Sequence, residues 1–395
     1  QSYGTLDILY RDDQALAYEG YDWNLNPGTT ITYLPLEELE SPIPIWMVVG
    51  STRFANGIHD AENQNGAHGF DLDDAMLTNI DPGYEEIFTR EKLTARKSTF
   101  FMDDMILCIG TGISGKHPTA PVYTVLTQRG IAAPADDVLV NGATTGFPYS
   151  QRVEGAQTLF DGHMTGYLVM DENAQVVISK REQVSRGDEC TFDEARRPPT
   201  GMKNGKPNRR REPETRGNFL AACIDHGVTP EDARYSYIVF PSVDSDSFKE
   251  KAQRVHGHPE LFYRIISSKD TLHAVRDVRS ATGTYICYEA QDMIPHAALH
   301  SVSDPSLLIF KDAADGYTVS AALPDLHQTA FSREHNYKQF VSRPHDLKLV
   351  FDGAWALDSG ASEVVTAEQI EGQTVVTIRT QHGATNHFKL NLVSQ

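Results

Sequence analysis

Several groups of residues in this chain have types and spacings that could do chemistry. Gly110-Thr111-Gly112-Ile113-Ser114-Gly115 is a formal G-x-G-x-x-G directly after the strand-like run 105–109. A dinucleotide site needs a helix next, so that its N-terminus faces the pyrophosphate. Here Lys116, His117, Pro118 and Pro121 follow, then another strand pattern, which predicts a glycine-rich β-turn instead. The same run lacks the last glycine of a G-x-S-x-G nucleophile elbow. His296 and His300 have the i, i+4 spacing of two metal ligands on one helix face. Only Ala297-Ala298-Leu299 lies between them, with no general-base glutamate, so polar or capping histidines are expected. The oxygen-rich segment 60–74 does not fit an EF-hand register. It reads as a solvated acidic loop, with a structural cation such as calcium as the alternative; no cofactor is required by any motif.

Asp103-Asp104 is the obvious carboxylate pair for acid–base work on a glycosidic bond. Neighbouring strand residues point to opposite faces, so a turn or sheet-edge role is expected. The segment 196–216 is different in kind. It carries eight basic and two acidic residues with four prolines, a net +6 on a chain of −19. Its arginines Arg209, Arg210 and Arg211 are the substrate-binding candidates, because planar guanidinium groups suit the sulfates or carboxylates of a polyanionic sugar. The other reading of the loop is a solvated surface segment. Tyr18, Tyr21, Trp23 and Tyr33 could stack on sugar rings, although sheet-face packing is expected for most of them.

The composition limits the partners. With 35 Lys+Arg against 54 Asp+Glu, the 395-residue chain lacks the positive field of a general nucleic-acid or anionic-membrane binder. No run approaches the ~18 apolar residues of a membrane helix. Cys108, Cys190, Cys223 and Cys287 have no C-x-x-C spacing and read as buried free thiols.

The elements that must position these groups are strands. Phe388, Leu390 and Leu392 alternate with polar residues, as do Val376 and Ile378, and strand-length runs recur at 29–36, 98–109, 121–128, 165–179, 235–241, 271–278 and 284–289. Asp315-Gly316, Asp352-Gly353 and Glu371-Gly372 supply turns. The best helix signal is 247–256, with Ser247 and Glu250 as a capping box and Gly257 as the stop; 83–92 is weaker. Very few helices and no regular alternation with strands predict an all-β protein of large antiparallel sheets packed as a sandwich. Pro295 and Pro305 mark a boundary, so a central sandwich over 1–295 and a smaller β domain over 296–395 are expected.

Glu19-Gly20-Tyr21-Asp22-Trp23-Asn24, Pro27-Gly28-Thr29-Thr30-Ile31 and Leu34-Pro35-Leu36 resemble a conserved-order segment of polysaccharide lyase family 8, in its chondroitin sulfate ABC lyase branch. Lys97-Ser98 through Asp103-Asp104, Ile106 to Ile113, Gly217-Asn218-Phe219, Ile224-Asp225-His226-Gly227 and Tyr235 to Pro241 continue in the expected order. The resemblance implies a β super-sandwich followed by a smaller β domain. It also implies part of an enzyme that degrades chondroitin, dermatan or hyaluronan by β-elimination at the uronic acid. In that reaction a polar group neutralises the uronate carboxylate, a base removes the acidified proton, and a tyrosine protonates the leaving oxygen. In the family those groups lie on an N-terminal helical domain, and no segment here matches them, so no catalytic residue is assigned.

Further expectations follow from the resemblance. The chain starts at Gln1 within a strand pattern, so it is expected to be a processed or partial product whose helical part and first strands come from elsewhere. The expected partners are that helical part and an acidic polysaccharide, and the expected location is secreted or periplasmic in a bacterium. The alternative is a stand-alone carbohydrate-binding or structural β module without chemistry.

Overall fold

A computed structural model describes residues 4–10, 19–35, 49–50, 52, 54–73, 77–78, 92–131, 137–186, 202–203, 206–207, 214–327 and 342–393. The fold is all-β, with one α-helix, Ser245–Gly257, among the described residues. Two compact units divide the chain. One comprises Gln1–Ser51, Leu72–Ala95 and Ile113–Ala252; the other comprises Thr52–Asp71, Arg96–Gly112 and Gln253–Gln395.

In the first unit a five-stranded antiparallel sheet has the order Thr30–Thr32, Pro121–Gly130, Glu214–Val228, Gln175–Arg186, Tyr149–Glu154. Period-two alternation explains its orientation. Val176, Ile178 and Lys180 are buried, whereas Gln175, Val177 and Ser179 between them are only half-buried. A second run of strands, Leu139–Val140, Gln157–Phe160, Gly166–Val169 and Ala233–Phe240, lies in the same unit. Arg129 and Asp161 pair at 3.2 Å between the two layers, both side chains largely shielded from water. The run 165–179, expected as one strand, is broken. Asp171 accepts from the Asn173 N–H at 2.8 Å and turns the chain, and Gly166–Val169 and Gln175–Arg186 go to different sheets.

The second unit holds a seven-stranded sheet with the order Tyr263–Lys269, Leu272–Asp277, Thr282–Cys287, Ser306–Ala313, Gly316–Ala322, Asn386–Leu392, Trp355–Leu357. A four-stranded sheet, Leu299–Val302, His345–Asp352, Gln373–Thr380, Val365–Ile370, packs against it. Their shared core includes Leu308, Phe310, Val319 and Leu390 from one and Leu347, Leu349, Phe351 and Ile378 from the other, a two-sheet sandwich. The seven-stranded sheet draws strands from both sides of residue 295.

The turn signals divide. Ile370 pairs with Gln373, and Glu371 and Gly372 both have positive φ, a two-residue hairpin as expected. Asp352-Gly353 instead carries the chain from the four-stranded to the seven-stranded sheet, since His345–Asp352 and Trp355–Leu357 never pair. At the helix the expected capping box is replaced by Asp244. Its Oδ1 accepts the N–H of Asp246 and Ser247 at 3.1 and 2.8 Å, and its Oδ2 accepts the Ser247 hydroxyl at 2.9 Å. A carboxylate one residue before the helix reaches those orphan N–H groups more directly than Ser247 can. The helix buries Phe248 against Phe160 and Phe240. The weaker helix, 83–92, lies outside the described residues except for Lys92.

Candidate carbohydrate-facing site

The half-open face of the five-stranded sheet is where the first unit gathers polar and aromatic groups. Segment 19–29 folds onto this face. Gly20 (φ +81°) and Gly217 interleave there: a Cβ on Gly20 would lie 2.2 Å from the Gly217 nitrogen, and one on Gly217 would lie 2.2 Å from the Glu19 carbonyl oxygen. Gln128 clamps the segment, accepting the Asp22 N–H at 2.9 Å and donating to the Asp22 and Leu25 carbonyls at 2.9 and 3.2 Å. Asn24 then ties the segment to Leu34 by two hydrogen bonds. Leu25 packs into the small core of Ile31, Val125, Ala221 and Cys223, with Tyr33 and Tyr123 against it.

This scaffold sets Asp22 beside Tyr33. The phenol donates to Asp22 Oδ2 at 2.9 Å, while Asp22 Oδ1 accepts from the backbone and side chain of Asn24 at 3.0 and 3.1 Å. Burial, then the Asp22 charge, pushes the Tyr33 phenol well above its ordinary range. It therefore stays protonated at neutral pH and serves as a donor, not a base. The Tyr33 ring lies 5.3 Å from Tyr123, tilted by 38°. Tyr123 is the register partner of Asp225, a buried carboxylate that pairs with the exposed Arg152. Asp225 also accepts the Gly227 N–H at 2.7 Å. The cluster thus offers two phenol rings, an arginine and a held carboxylate, the equipment for stacking on and hydrogen bonding to a sugar.

Of the expected stacking residues, Tyr33 and Trp23 are half-buried. Tyr21 is buried edge-on against Trp23 and Phe219, at 4.9 and 5.9 Å, and Tyr18 lies outside the described residues. Arg209, Arg210 and Arg211 also lie outside the described residues.

The other candidates resolve into structural roles. Asp103 and Asp104 form the tight turn between Thr94–Met102 and Met105–Ser114, Asp103 with φ +50°, and Asp104 accepts from Arg279 at 2.7 Å. Gly112 (φ +60°) sits within a strand, and a Cβ there would lie 3.5 Å from the Asp270 carboxylate; no helix follows. His296 Nδ1 accepts the N–H of Ala298 and Leu299 at 3.1 and 2.9 Å, the capping role expected, on an irregular segment and not a helix. Within segment 60–74, expected as a solvated acidic loop, Asn65–Asp73 is instead a strand paired with Ala55–His59; in the turn before it the buried Asp60 carboxylate accepts the N–H of Glu62, Gln64 and Asn65 at 2.9–3.1 Å. Cys108, Cys223 and Cys287 are buried thiols; Cys190 lies outside the described residues.

Sequence reasoning did not find Ser98 and His273, joined at 2.7 Å between Oγ and Nδ1. They do not form a nucleophile pair. Both are sealed from water, at 1% and 0% exposure, and the other ring nitrogen meets Thr111 Oγ1 at 3.0 Å where a triad would place a carboxylate. Among the described residues no group of three or more His, Cys, Asp or Glu is placed to hold a metal ion.

Residues 1–252 match the model of polysaccharide lyase family 8, super-sandwich domain. The chain belongs to polysaccharide lyase family 8. Within this family it is 28% identical to a chondroitin sulfate ABC endolyase of Proteus vulgaris over 397 aligned residues, 99% of this chain and 35% of that enzyme. The chain therefore spans about a third of that relative's length. Among solved structures, a Paenibacillus xanthan lyase superposes with TM-score 0.69 at 16% identity, over 96% of this chain and 32% of that one. The Streptomyces coelicolor A3 chondroitin AC lyase, solved in complex with chondroitin sulphate, superposes with TM-score 0.64 at 16% identity, over 98% of this chain and 43% of that one. At these identities the two structures speak for the family 8 fold. Asp22, Gly20, Gly217 and Asp225 all fall within the segments that carried the family resemblance, which gives those motifs a physical basis at this face.

Proposed function

We propose that the chain is the β-sheet part of a glycosaminoglycan lyase that cleaves chondroitin sulfate, dermatan sulfate or hyaluronan by β-elimination at the uronic acid. The observation that carries this reading is the alignment of 99% of the chain with the ABC endolyase. In this reading the catalytic base, acid and carboxylate-neutralising group lie on a helical catalytic part that acts as the chain's partner. The chain itself holds the polymer: Tyr33 and Tyr123 present ring faces, Arg152 meets carboxylate or sulfate oxygens, and Arg209, Arg210 and Arg211 add sulfate contacts. A polymer substrate places the protein outside the cytoplasm, secreted or periplasmic. No helix among the described residues is long and apolar enough to cross a membrane.

The test is to incubate chondroitin sulfate with this chain, with a family 8 helical part, and with both, following the ultraviolet absorbance of the unsaturated uronate. Product from the combination and not from the chain alone is the expected result. Binding by the chain without product in any mixture would favour a carbohydrate-binding module instead.

A further inference from the structure

Among the described residues the second unit holds two histidine pairs, and their geometries differ. His327 and His345 stack nearly parallel, with centroids 4.0 Å apart and planes 17° apart, and His345 Nε2 faces Asp304 Oδ1 at 3.0 Å. His59 and His387 are opened instead, with centroids 4.9 Å apart and planes inclined by 55°. Imidazole nitrogens bind a transition ion at about 2.0–2.1 Å, which puts each ring centre about 3.2 Å from it and two such centres roughly 5 Å apart at a near-tetrahedral angle. The opened pair matches that spacing; the stacked pair does not.

Hydrogen bonding points the same way. His59 Nδ1 meets the Asp60 carbonyl oxygen at 2.9 Å, and a carbonyl can only accept. The neutral ring therefore carries its proton on Nδ1 and its lone pair on Nε2. His387 Nδ1 meets Ser320 Oγ at 2.9 Å, and that hydroxyl can accept in the same way. Metal-binding histidines commonly hold their second nitrogen like this, which orients the ring and raises its basicity.

Both rings are also held in place. His387 and Ser320 are direct register partners on neighbouring strands. The strand Ala55–His59 is tied down by Asn56, which donates to the Leu323 and Gly383 carbonyls at 3.2 and 3.0 Å. Beyond it, Lys311 pairs with Glu62 and donates to Gln64 at 3.2 Å. His59 is exposed and His387 half-buried, so ions in solution can reach them.

We propose that His59 and His387 form a two-histidine site for a divalent transition ion, Cu²⁺ or Zn²⁺, with water completing the coordination. Copper should bind more tightly than zinc, following the usual order for nitrogen ligands, and the hard ions Mg²⁺ and Ca²⁺ should not compete. The experiment is titration of the full chain with Cu²⁺, read by calorimetry and by electron paramagnetic resonance. One ion per chain with coupling to two imidazole nitrogens is expected. His59→Gln and His387→Gln should each weaken binding at least about ten-fold, while His345→Gln leaves it unchanged. Binding that survives both substitutions, or a signal from one nitrogen only, would overturn the proposal. His59 is on the surface, so its variant decides the matter even if the His387 variant does not fold.

Discussion

Tyr33 donates its phenolic hydrogen to Asp22 Oδ2 across 2.9 Å, joining the segment that folds over the five-stranded sheet to the strand region that follows it. Tyr33→Phe removes that donor and keeps the ring. Stacking on sugar should survive, with oligosaccharide affinity falling by about three- to ten-fold, the worth of one modest hydrogen bond. Calorimetry with chondroitin oligosaccharides checks this. A loss as large as that of Tyr33→Ala would mean that the hydroxyl, and not the ring, carries the contact.

Gly20→Ala should be among the more damaging small substitutions. A non-glycine residue at φ +81° is strained, and its Cβ would meet backbone at 2.2 Å. A cost of about 1–3 kcal/mol is expected, with loss of sugar binding because Asp22 and Tyr33 shift together. Urea unfolding and binding measured on the same variant test whether the two losses are coupled.

Ser98→Ala should destabilise without touching binding. It removes the hydroxyl that His273 Nδ1 meets, while the Tyr288 hydroxyl keeps its bond to the Lys97 carbonyl, at a cost of about 1–3 kcal/mol. Unchanged stability together with lost activity in the assembled lyase would contradict the structural role assigned to the pair.

Changes of ionisation should weaken the fold on both sides of neutrality, histidine protonation in acid and tyrosine deprotonation in alkali. Burial lowers His226 and His296 to about 4. Their contribution is fully present above the free histidine value of about 6.5 and is lost as pH falls through the folded value. Burial raises Tyr33, Tyr167 and Tyr288. Their contribution is present below the free value of about 10 and is lost as pH rises through the folded one. Urea midpoints measured from pH 4 to pH 11 (roughly the interval between these values) should therefore form a plateau with losses at both ends. His296→Gln should flatten the acidic limb.

Replacing Arg209, Arg210 and Arg211 with Ala should weaken binding to sulfated chains more than to hyaluronan, and should reduce its salt dependence. Equal affinities before and after for both polymers would remove these three arginines from the binding surface.

Much of the fold was legible because period two is a local signal. Leu347, Leu349 and Phe351 alternate with exposed Asp346 and Lys348 and all face the core, as their pattern predicts. What that signal omits is which strands meet. Arg152 and Asp225 are 73 residues apart in sequence and become partners only through the order of the five-stranded sheet. Tyr33 was visible as an aromatic candidate, whereas Tyr123 became one only when its register opposite Asp225 was known. The break at Asp171 and the step between sheets at Asp352-Gly353 were missed for a related reason. Turn residues mark a change of direction but not the sheet to which the chain goes next.

The strand Ala55–His59 has a further consequence for how such a chain is made. Asn56 hydrogen-bonds the carbonyl of Gly383, 327 residues later in the sequence. At about 5–20 residues per second of translation, that acceptor is synthesised on the order of half a minute after its donor. Until then the strand lacks one of the anchors that hold it, so interrupted synthesis would leave behind a nascent protein with a strand available for pairing with the wrong neighbour.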